Sequence, residues 1–206
     1  MADCCCEEGL DTSHMETRQR RILAIVLAIN LVTFLMMVGG SIVSGSSALL
    51  SGTLDNFGDS VTYAISFAVV GASSATKGKV AFFKGCLIMA AAIAVACQIG
   101  WRLLHPAAPL ADVMGLVAAL NLAANILCLA LLTPMRHDDV NMASVWECSR
   151  NDVFEGVAVI LTAGLVWLFR AGWPDLVVAT LLLLMFLRSA FRVMRGGWRE
   201  MHEVAA

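Results

Sequence analysis

Residues 22–42 read ILAIVLAINLVTFLMMVGGSI, an unbroken run without a charged side chain. An apolar helix of about 20 residues can cross the hydrocarbon core of a bilayer, and this stretch is long enough to do so. The whole chain is similarly apolar: 59% of the 206 residues are hydrophobic, 15% are charged and the mean hydropathy is +0.80. A soluble domain covers itself with roughly 25% charged residues. We therefore expect an integral membrane protein.

Five further segments have the length and composition of membrane-spanning helices. They cover residues 47–71, 81–104, 111–132, about 140–169 and 173–194. Prolines mark two of the breaks between them, and the polar stretch SSATKGK at residues 73–79 predicts a loop. The expected fold class is all-α, with six transmembrane helices in a domain of residues 21–195. Residues 1–20 form a polar, Cys-rich tail without a signal-peptide core, and residues 196–206 form a short second tail.

The distribution of basic residues predicts the orientation. One side of the expected bundle carries eleven of them, namely Arg18, Arg20, Arg21, Lys77, Lys79, Lys84, Arg136, Arg188, Arg192, Arg195 and Arg199. The other side carries Arg102 and Arg170. By the positive-inside rule both termini are cytoplasmic, which an even number of spans also requires. We expect the chain in a bacterial inner (plasma) membrane. The scattered basic residues without an aromatic platform do not indicate nucleic-acid binding.

Two acids interrupt the second span, in the stretch SGTLDNFGDS at residues 51–60. Asp55 and Asp59 are four residues apart, so both project from one face of a helix. An ionised carboxylate in lipid is costly unless it is paired, and intramembrane acids mark ion or substrate pathways by default. The alternative is a helix end in contact with water. The functional interpretation is that a cation neutralises the pair.

The fifth span repeats the pattern in SVWECSRNDVFEGV, residues 144–157. Cys148 and Asp152 again share a helical face, and two such helices could build a four-ligand site with Asp55 and Asp59 where they cross. Three carboxylates and a thiolate suit a divalent transition metal in tetrahedral geometry, with Zn²⁺ as the default. Cd²⁺, Co²⁺, Fe²⁺ and Mn²⁺ stay open. The alternative for Cys148 is simple packing, since buried cysteine is common.

Other polar residues receive supporting roles. Glu155 follows Cys148 by two turns and, with Asn151, is a candidate for a proton relay or an outer partner of the ligands. Asn121 and Asn125 on the fourth span are better explained as hydrogen-bond contacts between helices than as ligands. The tail cysteines Cys4, Cys5 and Cys6 either capture cytosolic metal or belong to a solvated tail, and the sequence favours neither.

Three stretches together resemble the transmembrane domain of the cation diffusion facilitators, a family of six-helix metal/proton antiporters. SSALLSGTLDNFGDS (46–60) is similar to the second-helix signature, in which small residues and a Leu pair precede Asp-x-x-x-Asp. SRNDVFEGVAVILTAG (149–164) is similar to the fifth helix, and WPDLVVATLLLLMFLRSAFRV (173–193) to the sixth. The resemblance extends from about residue 22 to residue 195.

The resemblance implies that Asp55, Asp59 and Asp152 ligate a transported metal ion. The fourth ligand position falls on Cys148, where the family usually has His or Asp. Typical members continue into a cytoplasmic domain that pairs protomers. This chain stops at Ala206, so we expect a homodimer held by membrane helices.

The function expected is proton-coupled efflux of a divalent, Zn²⁺-like ion by alternating access, with no enzymatic activity and no resident cofactor. The expected partners are the metal ion, protons and the lipid bilayer. The alternatives are an organic-cation/proton antiporter using the same acids, and a membrane metal sensor that binds without transporting.

Overall fold

The computed structural model describes residues 17–68, 74–137 and 140–203, and these residues are almost entirely helical. The helices are α1 (Thr17–Ser44), α2 (Ser47–Ala68), α3 (Ser74–Leu104), α4 (Ala111–Leu132), α5 (Val140–Phe169) and α6 (Trp173–Glu203), with a 3-10 turn at Thr133–Met135. The tail cysteines Cys4, Cys5 and Cys6 lie outside the described residues. So do the side chains of Lys77, Lys79 and Lys84, which contributed to the predicted orientation.

Each of the six predicted spans corresponds to one helix, and the interior helix ends agree closely with those expected. Three helices are longer than predicted, because α1 begins at Thr17, α3 at Ser74 and α6 continues to Glu203. The loop expected at residues 73–79 is therefore mostly the first two turns of α3. This stretch contains no proline, and the single glycine within it costs a helix only about 1 kcal/mol, so nothing forces the helix to start later.

Five of the helices are long and apolar enough to cross a membrane. The candidate spans among the described residues are Thr17–Ser44, Gly85–Leu104, Ala111–Met135, Val145–Phe169 and Trp173–Arg192. Helix α2 is not among the candidate spans found in the described residues. The protein is therefore an integral membrane protein with at least these spans, and a crossing by α2 stays a prediction.

Helix α2 lies inside the bundle rather than at its surface. It packs against α1, α3, α5 and α6, and α4 packs against both α1 and α5. Nearly every residue from Ser46 to Ser60 is buried, including the polar residues Ser51, Asn56 and Asp59. Neighbouring helices thus replace lipid around the polar side chains of α2, which is the arrangement that intramembrane polar groups require.

Large apolar side chains cover the outside of the bundle. Ile42 is 76% exposed and Leu104 is 79% exposed, and similar residues follow the outer faces of α1, α3, α4, α5 and α6. A soluble protein rarely exposes so continuous an apolar surface. A lipid environment explains it, because hydrocarbon chains solvate these side chains at no cost.

The beginning of α2 is fixed by residues from two distant helices. Gly45 adopts a left-handed conformation, with a φ of 69°, in the turn from α1 to α2. Arg102 at the end of α3 donates a hydrogen bond of 2.5 Å to the Gly45 carbonyl oxygen. Asp175 in the first turn of α6 accepts hydrogen bonds from the Ser46 hydroxyl at 2.5 Å and from the backbone N–H groups of Ser47 at 2.7 Å and Ala48 at 3.0 Å. The Asp175 carboxylate therefore caps α2 and sets the height of its acids in the bundle.

Candidate functional site

A small cavity lies between α1, α2, α4 and α5, near the middle of the bundle. Its volume is about 10 Å³, close to the room that one water molecule needs. Ten residues line it: Met37, Gly52, Asp55, Ala118, Asn121, Asn125, Asp152, Glu155, Gly156 and Val159. Three of these are acids from two helices, and two are asparagines from α4.

Asp55 and Asp152 meet at this cavity. Their side chains are in hydrogen-bonding contact with each other, across the interface between α2 and α5. Asp152 is 4% exposed, so its charge has little access to solvent. Two ionised carboxylates would repel each other in this contact, so the arrangement favours a proton or a cation between them.

The other two predicted ligands do not line the cavity. Asp59 lies one turn beyond Asp55 on α2 and is 2% exposed, and Cys148 lies one turn before Asp152 on α5 and is 7% exposed. The structure therefore brings one residue of each predicted pair to the cavity. The other member of each pair lies one helical turn away from it.

Amide side chains from α4 complete the cavity wall. Asn121 accepts a hydrogen bond of 2.9 Å from the side-chain amide of Asn56 on α2, and Asn125 donates one of 3.5 Å to the backbone carbonyl oxygen of Asp152. Both asparagines therefore connect helices, as expected from the sequence, and both also line the cavity. In the described part of the chain the Oδ1 atom of Asn56 has no hydrogen-bond partner.

Glu155 occupies the same cavity one turn beyond Asp152 on α5. It lies close enough to Asp55 and Asp59 for their charges to interact with its own. Among the described residues its Oε2 atom is enclosed and has no hydrogen-bond partner. The sequence assigned Glu155 only a supporting role with Asn151, which is half-buried and does not line the cavity.

The carboxylates border the cavity without closing on a common point. Within the described ranges, no three His, Cys, Asp or Glu side chains are grouped as a metal-binding set. What the arrangement provides is negative charge, oxygen donors and exclusion of bulk water, and these favour a small cation. Side-chain rotations would still be needed to bring the oxygens to ligating distance.

A family model for the cation efflux transmembrane domain matches residues 23–201 of this chain. The match runs from the first turns of α1 nearly to the end of α6 and includes every residue that lines the cavity. The chain belongs to the cation efflux family. The resemblance to the cation diffusion facilitators is thereby confirmed, and the protein is a membrane transporter of metal cations rather than a member of an enzyme family. No curated protein gives a significant match to it.

Sequence reasoning missed two features of this cation efflux protein. The first is that Asn56 joins the site through Asn121, although its position next to Asp55 on a buried helix is a signal for such a role. The second is that Asp175 caps α2, a contact between residues more than a hundred positions apart. A capping carboxylate usually belongs to the residue just before its helix, so the local sequence of α2 gives no signal for this one.

Proposed function

We propose that this cation efflux protein is a proton-coupled exporter of divalent transition-metal ions, with Zn²⁺ as the default substrate. The observation that carries the proposal is the pair Asp55 and Asp152, two carboxyl groups in contact at a buried cavity between α2 and α5. Acids at such a depth are expensive unless a cation or protons neutralise them. In a cation transporter the acids bind the ion, and protons neutralise them when the ion leaves.

Proton coupling follows from the chemistry of the ligands. A carboxylate or thiolate must be deprotonated to bind a metal ion, so binding releases protons and protonation releases the metal. In the proposed cycle the ion enters from the cytoplasm and displaces the proton shared by Asp55 and Asp152. The helices then expose the site to the other side, where protons displace the ion and return inward.

Asp59 and Cys148 have a place in the same proposal. Both are buried one turn from the cavity, on the same two helices as Asp55 and Asp152. Because residues four apart share one face of a helix, a shift of α2 or α5 along its own axis by about one turn, about 5.4 Å, would exchange which member of each pair faces the site. We propose that they contact the ion during part of the cycle, with Asn151 and the tail cysteines Cys4, Cys5 and Cys6 in the supporting roles proposed from the sequence.

An organic cation fits the cavity less well than a metal ion does. A quaternary or aromatic cation is recognised by aromatic rings, and none of the ten lining residues is aromatic. Phe57 and Phe154 are the aromatic residues nearest in the sequence to the acids that line the cavity. Phe57 packs at a tilt against Phe34, with ring centroids 5.4 Å apart, and Phe154 is 66% exposed on the outside of the bundle. These positions favour an inorganic ion.

The proposal is tested by transport into proteoliposomes. The purified chain is reconstituted with a pH gradient, and uptake of Zn²⁺, Cd²⁺ and Co²⁺ is measured for the wild type and for Asp152→Ala. Uptake that follows the gradient and disappears in Asp152→Ala supports the exporter. Binding without uptake would instead indicate a metal sensor, and neither binding nor uptake would exclude these ions as substrates.

We further propose that the protein acts as a homodimer in a bacterial inner membrane, with membrane helices forming the interface. The exposed apolar faces of the helices are compatible with contact to lipid or to a second copy. The mass of the purified protein, measured by light scattering with the detergent contribution subtracted, distinguishes one copy from two.

A further inference from the structure

Glu155 gives the cavity a third carboxylate that the paired pattern of acids does not include. It lies on α5 one turn from Asp152, lines the cavity with Asp55 and Asp152, and interacts electrostatically with Asp55. The pattern of two ligand residues per helix, four residues apart, would place the ligands of α5 at 148 and 152. The structure instead places residues 152 and 155 of α5 at the cavity.

Glu155 has a buried carboxylate oxygen that needs a hydrogen-bond donor or a cation. Its Oε2 atom is enclosed by protein and, within the described ranges, has no hydrogen-bond donor. An unpaired oxygen of this kind costs about 1–3 kcal/mol, and more when the group is charged. A cation in the adjacent cavity would satisfy this atom together with the Asp55 and Asp152 carboxylates that border the same space.

The donors that line the cavity are mainly oxygen atoms. Three carboxylates and the side-chain amides of Asn121 and Asn125 face a space of about 10 Å³. Cys148 is not among the lining residues, and the sulfur of Met37 is a neutral thioether whose terminal methyl group packs close to Gly52. Carboxylate and carbonyl oxygens suit harder ions, whereas thiolates select soft ones.

We propose that Glu155 is a direct ligand of the transported ion, which at equilibrium binds to oxygen atoms of Asp55, Asp152 and Glu155 without a thiolate and meets Cys148 only in transit. The inference rests on the proposed function and specifies its substrate class. The site takes divalent ions that accept an all-oxygen shell, such as Mn²⁺, Co²⁺ and Zn²⁺, and it gives Cd²⁺ no advantage through sulfur.

Calorimetric titration of the full chain in nanodiscs with Mn²⁺, Co²⁺ and Cd²⁺ tests the role of Glu155. Glu155→Gln keeps the size of the side chain and removes its charge. We expect it to weaken the binding of all three ions by at least roughly tenfold, the lower end of what losing even an outer partner of a metal ion costs. Glu155→Asp keeps the charge and should restore part of the affinity. The matched control is Glu147→Gln, which makes the same change at an exposed position two turns earlier on α5.

Absorption spectra of the Cd²⁺ complex test the exclusion of sulfur. They are recorded in a background with Cys4, Cys5 and Cys6 replaced by Ser, so that thiols of the tail do not contribute. We expect no thiolate-to-metal charge-transfer band. A band that disappears on Cys148→Ser would overturn the all-oxygen shell.

The outcomes separate this inference from the proposed function. If the wild type binds and transports metal ions but Glu155→Gln binds them as tightly as Glu147→Gln does, Glu155 is not a ligand and the exporter still stands. If Glu155→Gln does not fold, the comparison passes to Glu155→Asp, whose shorter side chain should weaken binding, and unchanged affinity there would also overturn the inference. If the wild type binds none of the ions, the result contradicts the proposed function itself, and with it the inference about Glu155.

Discussion

The carboxyl group of Asp55 on α2 is in hydrogen-bonding contact with that of Asp152 on α5. The two residues are far apart in the sequence and meet only because α2 and α5 pack together inside the bundle. Each comes from a helix whose neighbours exclude lipid and water from the contact. Two ionised carboxylates repel at such a contact, so it favours a proton or a cation between the two groups.

Metal binding should release protons from the wild-type protein. We expect the ion to displace at least one proton held between Asp55 and Asp152, because only deprotonated carboxylates are ligands. The apparent affinity should therefore rise with pH and fall as protons compete at lower pH. Calorimetry at one pH in two buffers with different protonation enthalpies gives the number of protons released per ion. Equal heats in the two buffers, together with an affinity independent of pH, would contradict the shared proton.

Asp55→Asn should abolish transport without weakening the fold. The amide has nearly the same shape as the carboxyl group and can still form a hydrogen bond with Asp152, but it removes a negative ligand from the cavity. Because a neutral amide is easier to bury than a carboxylate, we expect the unfolding temperature to be kept or raised. Ion uptake into proteoliposomes and thermal unfolding are measured on the same preparation.

Asp112→Asn is the control for this variant, since Asp112 is an exposed acid in the first turn of α4. It should transport as the wild type does. Transport by Asp55→Asn at the rate of Asp112→Asn would show that the charge of Asp55 is not needed.

The fold was largely predictable because lipid imposes strict lengths on apolar segments. The predicted ends at residues 104, 132 and 169 coincide with the ends of α3, α4 and α5, each close to a proline or glycine that interrupts the helical pattern. The early start of α3 at Ser74 was not predictable from polarity. A polar helix outside the bilayer is as well solvated as a polar loop, and hydropathy does not distinguish the two.

The site was predictable in type but not in its members. Spacing along one helix places Asp55 with Asp59 and Cys148 with Asp152, but it cannot say which member of each pair meets the facing helix. That depends on the relative rotation and height of α2 and α5. The height of α2 is set by its contact with Asp175 on α6, which no local pattern indicates.

Asp175→Asn should destabilise the protein by about 1–2 kcal/mol, the upper part of the range for losing a helix cap. The Asp175 carboxylate accepts three hydrogen bonds at the start of α2, and its charge is favourable near a helix N-terminus. An asparagine retains only one of the two oxygens. Its NH₂ group would face a hydrogen-bond donor at the start of α2 and could not accept a hydrogen bond from it. Chemical or thermal unfolding in detergent measures the loss.

Asp112→Asn is again the matched control, because it makes the same change in the first turn of another helix, where the acid is exposed. It should change stability by a few tenths of a kcal/mol, since charges near an exposed helix N-terminus contribute about 0.3–1 kcal/mol. If the two variants unfold alike, Asp175 does not act as a cap for α2.

The adjacent glycines Gly39 and Gly40 should respond in opposite ways to alanine. A Cβ atom at Gly40 would lie 2.7 Å from both γ carbons of Val117 on α4, whereas one at Gly39 would meet nothing within 4 Å. Small residues allow helices to approach closely in membranes, so Gly40→Ala must push α1 away from α4. We expect a loss of about 1–3 kcal/mol, the usual cost of overpacking. Gly39→Ala should be neutral or stabilise by about 0.5–1 kcal/mol through the better helix propensity of alanine.

The same pair tests whether the α1–α4 contact shapes the cavity. Met37 lies one turn before Gly40 on α1 and lines the cavity, while Val117 is next to Ala118, which lines it from α4. Separating the two helices at Gly40 should widen the space around Asp55 and weaken ion binding, whereas Gly39→Ala should bind ions as the wild type does. Unfolding and metal titration are measured on both variants and on Gly40→Ala combined with Val117→Ala, which removes the overlapping γ carbons. Recovery of stability and affinity in the double variant supports the contact, and a Gly40→Ala protein as stable as Gly39→Ala would show that the helices are not closely packed there.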